Sequence, residues 1–258
     1  MLFLPFLVTA VGLMTAVWLA SLRLRDASIV DRVWGLGFLL LVLQSGLQTE
    51  SVTTRGWLVA AFVALWGLRL SLYIHLRNRG KAEDPRYQDM RRRHGQAFWW
   101  KSFFIVFLLQ GVLMWLISAP LVAVQRFSQS EFPTWLDGLG ISVWLVGFVF
   151  ESVGDYQLSR FKENPANRGK VCRVGLWDYT RHPNYFGEIL VWWGFWILCL
   201  NVSYGWCTVF SPALVTWLLL KVSGVTLLEG HLKSTKPGYQ AYLDEVPALI
   251  PRLKKGRR

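Results

Sequence analysis

Cysteine is scarce: Cys172, Cys199 and Cys207 are the three in 258 residues, and they share no paired spacing. That excludes a disulfide framework, which needs an even set, and a thiol-based structural zinc site, which needs close pairs. Two of the three lie in or beside apolar runs, where a free cysteine serves as a small buried hydrophobe. The four histidines (His75, His94, His182, His231) are equally scattered, so no metal is expected. Acids are few as well, 16 Asp and Glu against 28 Lys and Arg, for a formal charge of +12. In a soluble chain that balance would suggest nucleic acid. Beside long apolar runs, basic residues instead flank membrane helices and set their orientation, and no nucleic-acid partner is expected. No internal repeat or low-complexity segment is present, which argues against a transporter built from repeated halves. The N-terminus lacks the positive region of a signal peptide, and its apolar stretch is too long for one, so it reads as a retained helix.

What the chain does have is apolar length. Hydrophobic residues make up 53%, mean hydropathy is +0.33 and there are 15 Trp. Several windows approach or exceed the roughly 18 apolar residues needed to cross a hydrocarbon core about 30 Å thick. A soluble protein with fully buried helices is the alternative. The pattern predicts an all-α polytopic membrane bundle, with seven helices near 2–22, 28–47, 57–76, 102–123, 136–156, 186–203 and 208–228. Segments 22–27, 76–101, 156–188 and 231–258 carry 2, 8, 6 and 7 of the Lys and Arg. By the positive-inside rule these are cytoplasmic, which places the N-terminus outside and the C-terminus inside. The opposite connections are short and plain, so the chemistry is expected on the cytoplasmic face.

Glu151 and Asp155 are four apart and Lys162 is seven beyond Asp155. On one continuous helix all three share a face. Ionisable groups near a bilayer are expensive and imply a partner or a function. Basic side chains from adjacent loops would satisfy the two acids equally well. The following loop supplies Arg160, Lys162, Arg168, Lys170 and Arg173, either for anionic headgroups or as a cradle for phosphates. Next comes GLWDYTRHPNYFGE, in which Tyr179, Arg181, His182, Asn184, Tyr185 and Glu188 crowd within ten residues. Pro183 holds His182 extended, so these groups precede the next helix and can aim donors, acceptors and rings at one ligand.

That stretch, with FESVGDYQLSRFK before it and WWGFW after it, resembles the C-terminal region of the membrane steroid 5α-reductase superfamily, in its bacterial branch of uncharacterised reductase-like proteins. The resemblance is strong over about residues 140–251 and weaker through DRVWGLGF, WGLRLSLYIHLRNRG and EDPRY. It implies a seven-helix membrane enzyme that binds NADPH from the cytoplasm and reduces a C=C bond in an apolar steroid-like or lipid substrate. It further implies one integral domain over 1–258: substrate-side helices over 1–135, a cofactor region over 136–251 and a basic tail over 252–258. The positions matching the family's cofactor residues are Glu151 (in place of the usual Asn), Asp155, Lys162, Asn184 and Glu188. Arg160, Tyr179, Arg181, His182 and Tyr185 lie nearby, and His231 matches by its spacing to Pro251. For the family's acid and tyrosine in the N-terminal half, the nearest candidates are Asp31 and Tyr87, with Arg69 as a further polar group in an apolar helix. Asp31 could equally pair with Arg32 or cap its helix.

Membrane methyltransferases share an RHPxYxG motif similar to RHPNYFG, which makes an S-adenosylmethionine-dependent methyltransferase the alternative. In that pattern a pair of acids commonly follows, whereas Glu188 here precedes Ile189, Leu190 and Val191. A non-enzymatic transporter or scaffold is the third reading. Membrane lipids and an apolar substrate are the expected partners, with no obligate protein partner, and the family branch points to a bacterial inner membrane.

Overall fold

The apolar runs become helices because a chain in hydrocarbon must satisfy its backbone hydrogen bonds internally. The computed structural model describes residues 3–128, 132–222 and 224–252, and no strand occurs among them. In order these are α1 (Leu4–Leu24), α2 (Ile29–Leu47), α3 (Thr54–Asn78), α4 (Pro85–His94), α5 (Phe98–Ser102), α6 (Leu109–Ile117), α7 (Ala119–Phe127), α8 (Trp135–Glu163), α9 (Pro183–Cys199), α10 (Phe210–Trp217), α11 (Val225–Thr235) and α12 (Tyr239–Glu245). π-helical turns at Phe103–Leu108 and Leu218–Val222 continue α5 and α10.

Six helical runs among the described residues are long and apolar enough to cross a membrane: Leu4–Leu24, Ile29–Leu47, Thr54–Asn78, Pro85–Ile117, Trp135–Glu163 and Gly205–Val222. The sequence pattern had suggested seven. The remaining one, Pro183–Cys199, has 17 residues, at the short end of the roughly 17–25 that span a bilayer. The expected helix over 102–123 is also redrawn. Its helical run begins at Pro85 and stops at Ser118, because Pro120 opens α7 and lacks the N–H that a continuing helix would need.

The chain forms two compact units, Met1–Phe132 with Val202–Gly205, and Pro133–Asn201 with Trp206–Arg258. In the first, α2 and α3 meet at Gly35 and Gly67. A Cβ on Gly35 would sit 2.5 Å from the Gly67 carbonyl oxygen, so only glycine allows the backbones this close. Phe38 and Trp66 pack edge to face beside that contact, both fully buried.

The second unit is built on a glycine seam. Gly140, Gly147 and Gly154 recur every seven residues on α8, two helical turns apart, and so share one face. On α9, Gly187 and Gly194 do the same. A Cβ on Gly187 would lie 2.3 Å from the Glu151 amide nitrogen and 2.5 Å from the Gly147 carbonyl oxygen, and one on Gly194 would strike Trp144. At the start of α8, Thr134 and Asp137 form a capping box, and Asn201 donates to Asp137 at 3.1 Å. A smaller core of Tyr239, Tyr242 and Val246 holds α12 against Val171 and Leu232.

Replacing Gly187 with alanine should cost about 1–3 kcal/mol, the usual scale for overpacking, and lower the melting temperature in detergent. Gly138→Ala on the same helix meets nothing within 4 Å and should leave the melting temperature unchanged or raise it.

Candidate functional site

The seam sets the chemistry. Because α8 and α9 touch backbone to backbone, the polar side chains flanking the contact are forced together. Glu151 and Asp155 are buried, at 3% and 5% exposure. Asn184, in the first turn of α9, donates its Nδ2 to Asp155 Oδ1 at 3.2 Å. The Asn184 Oδ1 is buried without a hydrogen-bond partner among the described residues. One turn on, Glu188 accepts from Trp192 Nε1 at 2.9 Å. Four of the residues singled out from the sequence therefore lie along one helix pair.

The loop before α9 is tied into its unit by its own hydrogen bonds. Gly175 (φ +57°) opens a 3-10 turn over Gly175–Asp178. Trp177 Nε1 reaches the Gly154 carbonyl on α8 at 2.9 Å, and Leu176 N–H donates to Gln157 Oε1 at 2.9 Å. Arg181 then turns into the protein. Its Nε donates to Glu229 Oε1 at 2.8 Å, its Nη1 to the carbonyls of Leu243 (2.9 Å) and Val246, and its amide to Pro247 at 2.9 Å. His182 Nε2 lies 2.9 Å from the same Glu229 oxygen, and its ring stacks on Tyr185 at 5.2 Å. Thr180 donates to the Leu249 carbonyl, and the carbonyl of half-exposed Tyr179 accepts from the Arg252 amide. Arg181 and His182, expected at a ligand, bind Glu229 on α11 and, through Arg181, the carbonyls of Leu243 and Val246, and so strap that segment to the motif loop. Glu229, the centre of the strap, was not legible in the sequence: it lies 48 residues from Arg181 with no local pattern to mark it. Burial alone would raise its pKa, but the hydrogen bonds and charges of His182 and Arg181 outweigh this and hold it below 4.5.

Past the seam, α8 runs on to Glu163 and ends at a cavity of about 420 Å³ where Lys162, Arg168 and Lys236 converge. Lys162 is two turns, about 10 Å, beyond Asp155 along the helix. Glu163, the acid on this rim, pairs with Arg160 at 3.0 Å on the exposed side. Lys236, also missed in the sequence, donates to the Lys170 carbonyl at 2.6 Å, and burial lowers its pKa. A cluster of cations with so little compensating acid suits a ligand with several anionic oxygens. His231 falls on α11, but its side chain lies outside the described residues.

In the other unit, Asp31 and Tyr87 come together across 56 residues: the Tyr87 hydroxyl donates to Asp31 Oδ1 at 2.7 Å. Arg86 Nη2 donates to the other carboxylate oxygen at 2.7 Å, and Gln110 reaches the phenol at 3.5 Å. The local pairing with Arg32 does not form, since Arg32 binds Asp26 at 3.1 Å. Asp84 caps α4 and holds Arg86 at 2.9 Å. Burial pushes the Asp84 pKa up, but Arg86 more than offsets this and the net shift is downward. Tyr87 is 4% exposed and the Asp31 side chain 18%, so the pair is part-buried. Arg69 lies over the Tyr73 ring at 5.7 Å.

Over residues 17–246 the chain matches the family described as "Protein of unknown function (DUF1295)", and it belongs to that family. An uncharacterised protein of the fission yeast Schizosaccharomyces pombe is 26% identical over 272 residues, covering 92% of this chain and 76% of the relative. The mouse 3-oxo-5-alpha-steroid 4-dehydrogenase 1 is 38% identical over 56 residues, 22% of each chain. The very-long-chain enoyl-CoA reductase of Dictyostelium discoideum is 31% identical over 80 residues, 31% of this chain and 26% of the relative. A probable O-methyltransferase of Ustilaginoidea virens is 44% identical over 46 residues, 18% of this chain and 16% of the relative. The named enzymes are thus matched over less than a third of their lengths. No solved structure matches.

The strap predicts a pH signature. A carboxylate held below 4.5 contributes stability that is fully present above that value and is lost as pH falls through its lower folded pKa. Glu229→Gln should cost about 1–3 kcal/mol at neutral pH, as for hydrogen bonds to charged groups. The gap between the wild-type and variant melting temperatures in detergent should then narrow as pH drops below 4.5.

Proposed function

We propose that the protein is an NADPH-dependent membrane reductase acting on a C=C bond of an apolar, steroid-like or lipid substrate, with its cofactor site on the cytoplasmic side. One observation carries the reading: buried Asp155, paired with part-buried Asn184, leads, two turns along α8, to a cavity lined by three cations. The donor set fits a phosphorylated dinucleotide. Asn184 Oδ1 has an acceptor to spare for an amide or hydroxyl donor, and Lys162, Arg168 and Lys236 suit phosphate oxygens. The chemistry supplied by the bound cofactor is transfer of a hydride.

The chain's own contribution is binding and proton control. Glu151, Asp155, Asn184 and Glu188 orient the cofactor, and the strap through Arg181, His182 and Glu229 fixes the loop from which α9 starts. Tyr87 is the proton donor and Asp31 its positioning partner. A phenol has one proton, and at rest it is given to Asp31. Donation to a substrate carbonyl therefore requires the hydroxyl to turn away from a carboxylate that Arg86 holds in place. Such polarisation of the acceptor is typically worth 10²–10⁴-fold in rate.

The match to a probable O-methyltransferase supports a second reading, an S-adenosylmethionine-dependent methyl transfer. Its sulfonium and ammonium groups call for nearby acids, whereas this cavity gathers Lys162, Arg168 and Lys236.

A paired thermal shift separates the two. At about 100 times its Kd a ligand selective for the native state adds roughly 2.7 kcal/mol. NADPH should raise the melting temperature of the detergent-solubilised protein and S-adenosylmethionine should not, and Lys162→Gln should reduce the shift. The reverse order of the two ligands would replace the reductase reading with the methyltransferase one.

A further inference from the structure

Where α1 ends and α5 begins, a second cavity of about 210 Å³ is lined by Ser21, Arg25, Arg91, Phe98, Trp99 and Ser102. It is smaller than the roughly 300–1,000 Å³ of a small-molecule site, so it holds one compact group rather than a cofactor. Its floor is Ser21, Phe98 and Ser102, all buried. Both serine hydroxyls donate back into their own helices, to the Trp18 carbonyl at 2.7 Å and the Trp99 carbonyl at 3.0 Å. Polar recognition therefore falls to the two arginines.

Arg91 is fixed in place. Its Nε and Nη2 bind Glu83 at 3.0 and 2.9 Å, and its guanidinium lies over Phe98 at 4.6 Å. Its Nη1 carries no hydrogen bond to a described residue. Glu83 is itself committed, accepting the Ala27 amide at 2.7 Å. Arg25 closes α1 in the left-handed conformation (φ +54°), its amide donating to the Ser21 carbonyl. That conformation is uncommon for a residue with a Cβ and costs on the order of 1–3 kcal/mol. No described residue pairs with the Arg25 side chain. The cavity lining thus presents two guanidiniums, one held by Glu83 from outside the cavity and one that pairs with no described residue.

Beyond the rim the surface turns apolar. Trp99 and Trp100 are exposed, and Phe104, Ile105 and Leu109 continue exposed along the same helical run, with Leu19 on α1. Exposed tryptophans mark the headgroup level and the aliphatic residues beyond them face lipid. We propose that this cavity seats the phosphate of a membrane phospholipid between Arg25 and Arg91, with its acyl chains along Phe104 and Ile105. The same guanidiniums would bind inorganic phosphate; the apolar surface that continues from the rim commits the site to a lipid.

Native mass spectrometry of the delipidated full chain in detergent tests this with three probes: dioctanoyl phosphatidic acid, dioctanoylglycerol and inorganic phosphate. The expected result is one phosphatidic acid retained, no retained diacylglycerol, and inorganic phosphate at least about tenfold weaker. Arg25→Asn, which tolerates the left-handed backbone, should weaken phosphatidic acid about fivefold or more while leaving the lipid-free melting temperature unchanged. Arg93→Gln, an exposed cation away from the cavity, should change nothing. Equal retention of diacylglycerol, inorganic phosphate as tight as the lipid, unchanged affinity in Arg25→Asn, or equal weakening by Arg93→Gln would each overturn the assignment.

Discussion

The backbone-to-backbone contact of α8 and α9 is the constraint from which the second unit follows. Two helices of ordinary composition pack about 8–10 Å apart, with side chains between them. Here Gly147, Gly187 and their heptad neighbours remove those side chains, and atoms a Cβ would meet at 2.3–3.1 Å fill the space. The residues one turn from each glycine can then no longer stay apart. Glu151 and Asp155 are drawn under α9, and Asn184 lands on Asp155. Polar groups in that position would be costly in hydrocarbon without partners, and the seam supplies partners by geometry.

The strap around Glu229 closes the same region from its other end. Arg181, His182 and Thr180 bind α11 and the chain beyond it by side-chain and carbonyl contacts, so the motif loop, α11 and the turn after α12 are tied together. Loops that carry a site need such anchoring, because a displacement of about 1 Å can cost on the order of 100-fold in rate. The glycines fix where Asn184 stands, and the strap fixes the segment that leads into it. The cations of Lys162, Arg168 and Lys236 complete a polarity gradient from a buried carboxylate to an anion-seeking cavity.

Much of this was legible in the chain, and the boundary is physical. Periodicity exposes what is local: the apolar spans, the i, i+4 relation of Glu151 and Asp155, and the face they share with Lys162. Long-range partners leave no such mark. Glu229 and Lys236 act on residues 48 and 66 positions away and look like ordinary helix-surface charges. Arg181 and His182 were recognisable as specialised, but residue type does not say whether a donor faces a ligand or the protein's own carbonyls. Asp31 shows the converse. Its sequence neighbour Arg32 was the obvious partner, yet Asp26 captures Arg32 and leaves Asp31 to Tyr87 and Arg86. The earlier end of the fourth span has a local cause that was visible, since Pro120 cannot continue a helix.

The central claim is that the Asp155–Asn184 pair and the cationic cavity form one dinucleotide site. Quenching of tryptophan emission by NADPH, titrated into the protein in nanodiscs, tests it most directly, because Trp177 and Trp192 hydrogen-bond within this helix pair. The account predicts saturable quenching by NADPH, weaker binding of NADH for want of the extra phosphate, and loss of saturation in Asn184→Leu. Absence of saturable quenching in the wild type, or an Asn184→Leu titration that superimposes on it, would contradict the claim.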